Sequence, residues 1–340
     1  MRKKDLLAKL IFSPLNPIGW GLRPYGRGKL FVLAYHRVDE QVADYPFNRT
    51  ILSATPEQFD RQLNYVKRHF NVIDFHDLAA ILAGGDEIRD NTLIITFDDG
   101  YKDNFQIAAP ILQSHQMKAV FYVTTDNISQ GNLLWFDLLH YYVRQMKPGI
   151  YSLGSGDYRF ARTTDDEQDF VAIGRHLRLI PDEERLAILA QLEQMFGSDA
   201  LAELRGLADV LNWDEVRQLA EMGFEIGSHS CSHPHLYRLG REDQLRQLRD
   251  SKTLIEQQTG RPVVSFSYPT GGFDQITVEC VREAGYQFAV AYNEAIWSQG
   301  DNRLLIPRIH VEPDIQFERF KGQLVLPRLF LDAAHSTGGQ

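Results

Sequence analysis

The 340-residue sequence predicts an α/β fold in which seven or eight mostly parallel strands close into a barrel. Short apolar runs recur along the chain, and helix-length amphipathic stretches separate them. The runs are continuous rather than alternating, as expected of strands covered on both faces. They fall at 30–35, 72–75, 93–97, 119–123, 224–227, 263–268 and 288–292, with a weaker one at 304–306. Between them, 56–69 opens after Thr55 as a capping residue with Gln58 in its first turn. Helical spacing also marks 244–257 and 275–283, the latter opening after Asp274, with Gly260 and Gly285 as stop signals.

The stretch from about 130 to 212 breaks this rhythm. Residues 151–153 and 157–160 flank Gly154-Ser155-Gly156 as a small hairpin, and charged helical segments follow, notably 182–195. It reads as an insertion near the barrel mouth, either shaping a substrate groove or decorating the fold. The domain plan is therefore a basic N-terminal segment, 1–28, a catalytic domain, 29–326, interrupted at about 130–212, and a tail, 327–340, ending in the polar run 335–340.

A net charge of −9 and the lack of any Lys/Arg stripe interleaved with aromatics argue against nucleic acid as a partner. The same acidity weighs against a long acidic polymer as substrate, although a local cleft can differ from the whole. Two cysteines, Cys231 and Cys280, are too few for a disulfide framework and fit a reducing compartment. No apolar run reaches the roughly 20 residues that span a bilayer. Near the N-terminus, Arg2, Lys3 and Lys4 precede Leu6, Leu7, Leu10 and Ile11, but Lys9 interrupts the apolar stretch and no cleavage pattern follows. This segment could rest on an anionic membrane surface or pack on the domain as a short helix. A cytoplasmic place, or one at the inner face of the membrane, is expected.

Four motifs carry chemistry. Thr96-Phe97-Asp98-Asp99-Gly100 ends an apolar strand in two carboxylates, at the barrel face where catalytic groups gather. An Asp-Asp-Gly turn capping the next helix would use the same residues. His229-Ser230-Cys231-Ser232-His233-Pro234 follows the strand at 224–227. Its two histidines, at i and i+4, are expected on one face of a helical turn, as a divalent metal needs. One carboxylate would complete a two-histidine set open to water and substrate, with Cys231 turned aside into packing. Ser267-Tyr268-Pro269-Thr270-Gly271-Gly272 forms a tight loop whose N–H groups can face a cavity and hold an oxyanion. Pro307-Arg308-Ile309-His310 follows the last strand and offers an imidazole to protonate a leaving group.

In this order the motifs resemble the polysaccharide deacetylase family with the NodB homology domain, carbohydrate esterase family 4. Tyr35-His36-Arg37-Val38, Ala109-Pro110-Ile111-Leu112, the run 223–228 and Gly260-Arg261-Pro262-Val263 agree with it, so the resemblance covers about residues 29–312. It implies a distorted (β/α) barrel of the NodB type and a hydrolase that removes acetyl groups from an acetylated oligo- or polysaccharide, free or lipid-linked. Position by position, it implies that Asp99, His229 and His233 bind a divalent metal, with zinc the default and cobalt or nickel compatible. It further implies Asp98 as the base, the Thr270 N–H as oxyanion donor and His310 as the acid. Many members carry an arginine where this chain has Ser267, and Arg308 is expected to supply that guanidinium instead. The family's acid–tryptophan pair is indistinct; Trp297 and Asp301 are nearby without an assigned role. An O-acetyl esterase of the xylan type, a lipid-linked glycan amidohydrolase and a carbohydrate-binding protein retaining the fold are the competing readings. The oligomeric state is not legible.

Overall fold

The computed structural model describes residues 3–13, 28–40, 51–154, 158–206, 210–313 and 315–331. Its strands, in chain order, are β1 (Lys29–Tyr35), β2 (Arg37–Val38), β3 (Leu52–Ala54), β4 (Asn71–Val72), β5 (Thr92–Phe97), β6 (Val120–Val123) and β7 (Gly149–Leu153). They continue as β8 (Tyr158–Arg162), β9 (Glu225–Ser228), β10 (Ser265–Ser267), β11 (Phe288–Ala291), β12 (Trp297–Ser298), β13 (Ile306–Pro307) and β14 (Ile309–His310).

The main sheet runs β1-β5-β6-β9-β10-β11-β13, every neighbouring pair parallel. After β13 the chain passes through Arg308 into β14, which pairs parallel with β1 and so brings the two edges of the sheet together. The mostly parallel sheet is thus nearly shut into a distorted barrel. Arg308 stands at its seam.

Alternation along the strands divides the core in two. Leu30, Val32, Ile94, Val120, Tyr122, Phe288, Val290 and Ile306 form one buried cluster, with Phe75 and Leu78 packed into it. Phe31, Leu33, Leu93, Ile95, Phe97 and Phe121 face the other way, against helices such as Pro56–His69 and Trp213–Glu221. Helix Pro56–His69 opens with a full capping box between Thr55 and Gln58.

The strand expected at 72–75 is shorter, because Asp74 caps a helix, Phe75–Ala83, that starts where the strand was drawn. Phe75 is apolar because it stacks on Phe288 at 5.3 Å, not because it continues a strand. The runs at 263–268, 288–292 and 304–306 contract or shift to β10, β11 and β13. Helices drawn at 244–257 and 182–195 extend to Arg241–Thr259 and Asp182–Gly206. The hairpin forms as the antiparallel pair β7–β8, its tip at 155–157 lying outside the described residues, as does the polar run 335–340.

The segment from Trp135 to Gly206 builds its own small core from Leu139, Tyr142, Phe160, Ile173, Leu177, Ile188 and Leu192. At the N-terminus, helix Lys3–Phe12 buries Ala8 and Phe12 against Val325 and Phe330, so the short-helix alternative is the one seen. Leu6 and Leu10 remain exposed. Among the described residues, no helix is long and apolar enough to cross a membrane.

One buried acid away from the barrel mouth makes a pH prediction. Glu225, on β9, accepts hydrogen bonds from the Phe75 N–H at 2.7 Å and the Ser265 hydroxyl at 2.6 Å. Burial pushes its carboxyl pKa up from 4.5 to about 8, and the charge of Asp74 adds to the effect. The folded state therefore holds a proton that the unfolded chain releases. Stability from this group is complete below about pH 4.5 and is lost as the pH rises through about 8. Melting temperatures of wild type and Glu225→Gln across that window are expected to diverge, the wild type falling more steeply. Parallel curves would contradict the assignment.

Candidate active site

The strand termini deliver the functional groups to one end of the barrel. Asp98 and Asp99 follow β5, and the Asp98 N–H bonds to the carbonyl of Tyr35 at the end of β1 at 3.0 Å. Asp99 (φ 79°) and Gly100 (φ 76°) are both left-handed, a backbone that turns the two adjacent carboxylates apart. Such a conformation is uncommon for a non-glycine residue and tends to mark functional sites.

His229 and His233 follow β9, but not on a helical turn. Ser230 (φ 66°) and His233 (φ 53°) are left-handed, and the segment is an irregular loop. The Thr125 and Asp126 amides pin it to the carbonyls of Ser230 and Cys231, while the Gln247 side-chain oxygen accepts the Cys231 and Ser232 amides. The rings still converge, their centroids 4.8 Å apart. Cys231 points away; its thiol bonds to the Gln247 carbonyl, and burial pushes its pKa up to about 11.

Asp99, His229 and His233 each present one ligand atom, all within 4.8 Å of one another, and all three side chains are buried. Asp99 Oδ1 lies 3.3 Å from His229 Nε2 and 3.5 Å from His233 Nε2. That oxygen has no hydrogen-bond partner among the described residues. His229 Nδ1 sits 2.8 Å from the Ser267 carbonyl, which can only accept, so Nδ1 carries the proton and Nε2 is turned toward Asp99. Two imidazole nitrogens turned on one buried carboxylate oxygen need a proton or a metal cation among them, and their spacing suits a metal cation. Burial works against charge on His229, yet the Asp98 and Asp99 carboxylates raise its pKa overall. His233 is pushed down to about 3, by burial first and then by His229. Two ring nitrogens and one carboxylate oxygen fit a divalent ion such as zinc.

Asp98 is held differently. Arg308 grips it with two parallel hydrogen bonds, Nη1 to Oδ1 at 2.8 Å and Nη2 to Oδ2 at 2.7 Å. The Ser267 hydroxyl donates to Oδ2 at 3.1 Å and also accepts from Arg308. Burial alone would raise this carboxyl's pKa, but Arg308 and then His229 overcome it and hold Asp98 well below the usual carboxylate range. The serine in place of the family's arginine therefore sits in the same contact network as the guanidinium arriving from the barrel seam.

Asp98, Asp99, His229 and His233 open into a cavity of about 400 Å³. Thr270, itself left-handed (φ 58°), and Gly271 form one wall. Gly271 is required there: it is also left-handed, and a Cβ would lie 1.9 Å from that of Tyr292. Tyr292 lines the cavity, and His310 stacks behind its ring with centroids 3.7 Å apart. The His310 pKa is lowered well below its ordinary value by burial, then by Arg308 and His36, so the ring is neutral. Its Nε2 has no partner among the described residues. Trp297 and Asp301 lie at the other end of the strands: Trp297 pairs with Leu30 near the start of β1, and Asp301 closes the adjoining turn.

Several lining residues were not singled out as site residues from the sequence. His36 directly follows β1, a strand end like the others, and its position was the available signal. Trp135, Phe136, Phe170 and Arg178 reach the cavity from the insertion, which therefore shapes the mouth.

Fold and site together define a barrel hydrolase with paired carboxylates beside two imidazoles. A family model described as polysaccharide deacetylase matches residues 85–289. The chain belongs to the polysaccharide deacetylase family, enzymes that remove acetyl groups from carbohydrate. A provisionally named polysaccharide deacetylase of Bacillus subtilis strain 168, YxkH, is 19% identical over 293 residues, covering 86% of this chain and 75% of that one. Poly-β-1,6-N-acetyl-D-glucosamine N-deacetylase of Escherichia coli K12 is 28% identical over 101 residues, 29% of this chain but only 14% of that protein. Among solved structures, the Streptococcus pyogenes deacetylase PplD in complex with acetate superposes with a TM-score of 0.59 at 18% identity, covering 89% of this chain and 99% of that one. At that identity, the likeness speaks for the fold.

Proposed function

We propose that this chain is a divalent-metal-dependent deacetylase acting on N-acetylated sugars of a polysaccharide or glycan precursor. The observation that carries the reading is the orphaned Asp99 oxygen facing two imidazole nitrogens beside a separately held Asp98. Asp99, His229 and His233 would hold the ion, which when bound acidifies water and polarises an acyl carbonyl. Asp98 would accept the proton of the attacking water. An anion so well paired is a weak base, so it serves where that water is already acidic, and Arg308 and Ser267 fix its aim. The Thr270 N–H would donate to the oxyanion from its left-handed turn. His310 would protonate the departing nitrogen through its unpartnered Nε2; the resting ring is neutral, so it would take that proton from solvent, and Asp98 would return the proton it accepted to solvent on product release. The Escherichia coli relative, named an N-deacetylase, favours removal of an N-acetyl group over O-deacetylation. The boundaries at 28 and 326 remain part of this proposal, although helix Lys3–Phe12 packs on Phe317–Val325 across the first of them.

The test is an acetate-release screen over N-acetylglucosamine oligomers and acetylated xylan, with and without chelator and with zinc, cobalt or nickel restored. Acetate from the N-acetylated oligomers, abolished by chelator and recovered with metal, is expected. Release that chelator leaves untouched would defeat the metal assignment, and release from xylan alone would favour the esterase.

A further inference from the structure

The cavity is electrostatically lopsided. Among its described lining residues, the carboxylates are Asp98 and Asp99, the first neutralised by Arg308 and the second facing two imidazoles. Arg178, from the insertion, lines the same cavity and makes no ion pair among the described residues; its Nε bonds to the Gly174 carbonyl at 3.3 Å. Two more guanidinium groups stand close behind this wall. Arg185 lies over the Trp135 ring, 4.7 Å from its centroid, and Trp135 lines the cavity. Arg185 is only 2% exposed, and although Asp182 takes its Nε at 2.9 Å, its Nη1 has no partner among the described residues. Arg238 lies over the Tyr237 ring at 5.1 Å, and that ring packs on the backbone of Gly272, next to the Thr270–Gly271 wall. Of these three guanidinium groups, only Arg185 has a carboxylate partner among the described residues, Asp182, in a chain whose net charge is −9.

A neutral glycan has no use for an unpaired cation at the mouth, whereas a guanidinium matches the oxygens of a phosphate or carboxylate. We infer that the substrate carries an anionic group, a phosphate ester or a carboxylate, close to the acetylated sugar, and that Arg178 receives it. The inference rests on the reading that an acetylated glycan enters this cavity. It reverses, for the local cleft, the expectation that the chain's acidity sets against acidic substrates. The aromatic wall of Trp135, Phe136 and Phe170 would cover the sugar faces while the arginine end fixes the charge.

The test is equilibrium titration of the full chain, treated with chelator so that no turnover intrudes. Three disaccharides serve as probes: neutral N-acetylglucosamine dimer, the same dimer as its 1-phosphate, and N-acetylglucosamine joined to glucuronic acid. At least one charged probe is expected to bind about tenfold or more tightly than the neutral one, and the stronger of the two identifies the anion. That ratio is expected to fall toward unity in Arg178→Gln, an exposed position whose replacement leaves the fold intact, and toward unity again in high salt. Equal affinity for all three, no binding of any, or a preference that survives Arg178→Gln would overturn the inference. Acetate release, measured separately with metal restored, judges the deacetylase reading. Release without charge preference sinks only the arginine site; charge preference with no release from any glycan supports the arginine site and sinks only the deacetylase.

Discussion

Asp98→Asn is expected to lower acetate release by about 10²–10⁴-fold, the range a positioned general base supplies. It is also expected to destabilise the fold, for a reason separate from chemistry. Arg308 is 1% exposed and spends both Nη atoms on Asp98, so an amide leaves a buried guanidinium without its counter-charge. Breaking a buried pair from one side costs about 3–5 kcal/mol. Metal affinity should persist, because Asp99, His229 and His233 are untouched. Steady-state kinetics, denaturant unfolding and metal titration on one preparation separate the three effects. Undiminished turnover in Asp98→Asn would remove the base assignment outright.

Arg308→Met is the complementary experiment, and its sign follows from the same pair. Without the guanidinium, burial dominates the Asp98 carboxyl and its pKa moves upward. The wild-type pair contributes stability above the unfolded carboxyl pKa, present at neutral pH and lost only as acid protonates Asp98. The variant should lose about 3–5 kcal/mol at neutral pH, and the acidic limb of its activity profile should shift to higher pH. The double variant Asp98→Asn/Arg308→Met is expected to regain much of the lost stability but none of the activity, since stability tracks the pairing and turnover tracks the carboxylate. Full activity in Arg308→Met with an unmoved acidic limb would deny this residue any part in holding Asp98.

The contrast between these residues shows what a sequence exposes. Asp98, Asp99, His229 and His233 were legible because each follows an apolar run, and strand ends in parallel barrels share one face. The guanidinium of Arg308 was a guess from proximity to His310. Its contact with Asp98 depends on the strand break between β13 and β14 and on β14 reaching β1, a closure between segments more than 200 residues apart in the chain for Arg308 and Asp98. Local conformation was misread where tertiary bonds override spacing. The i, i+4 histidines suggested a helical turn, yet two left-handed residues and the Gln247 side chain shape a loop instead. Phe75 fitted a strand by hydrophobicity, while the reciprocal bonds of Asp74 and Asp77 make it the first turn of a helix. Trp135, Phe136 and Arg178 carried no readable signal, because a helix face reveals its neighbours only once the insertion is packed over the barrel mouth.

X-ray absorption on protein loaded with one equivalent of zinc addresses the central arrangement most directly. The predicted spectrum has two imidazole nitrogens and a carboxylate oxygen in the shell, at about 2.0–2.2 Å, and loses imidazole scattering in both His229→Ala and His233→Ala. A protein that takes up no zinc, or whose zinc spectrum is indifferent to both replacements, would contradict it.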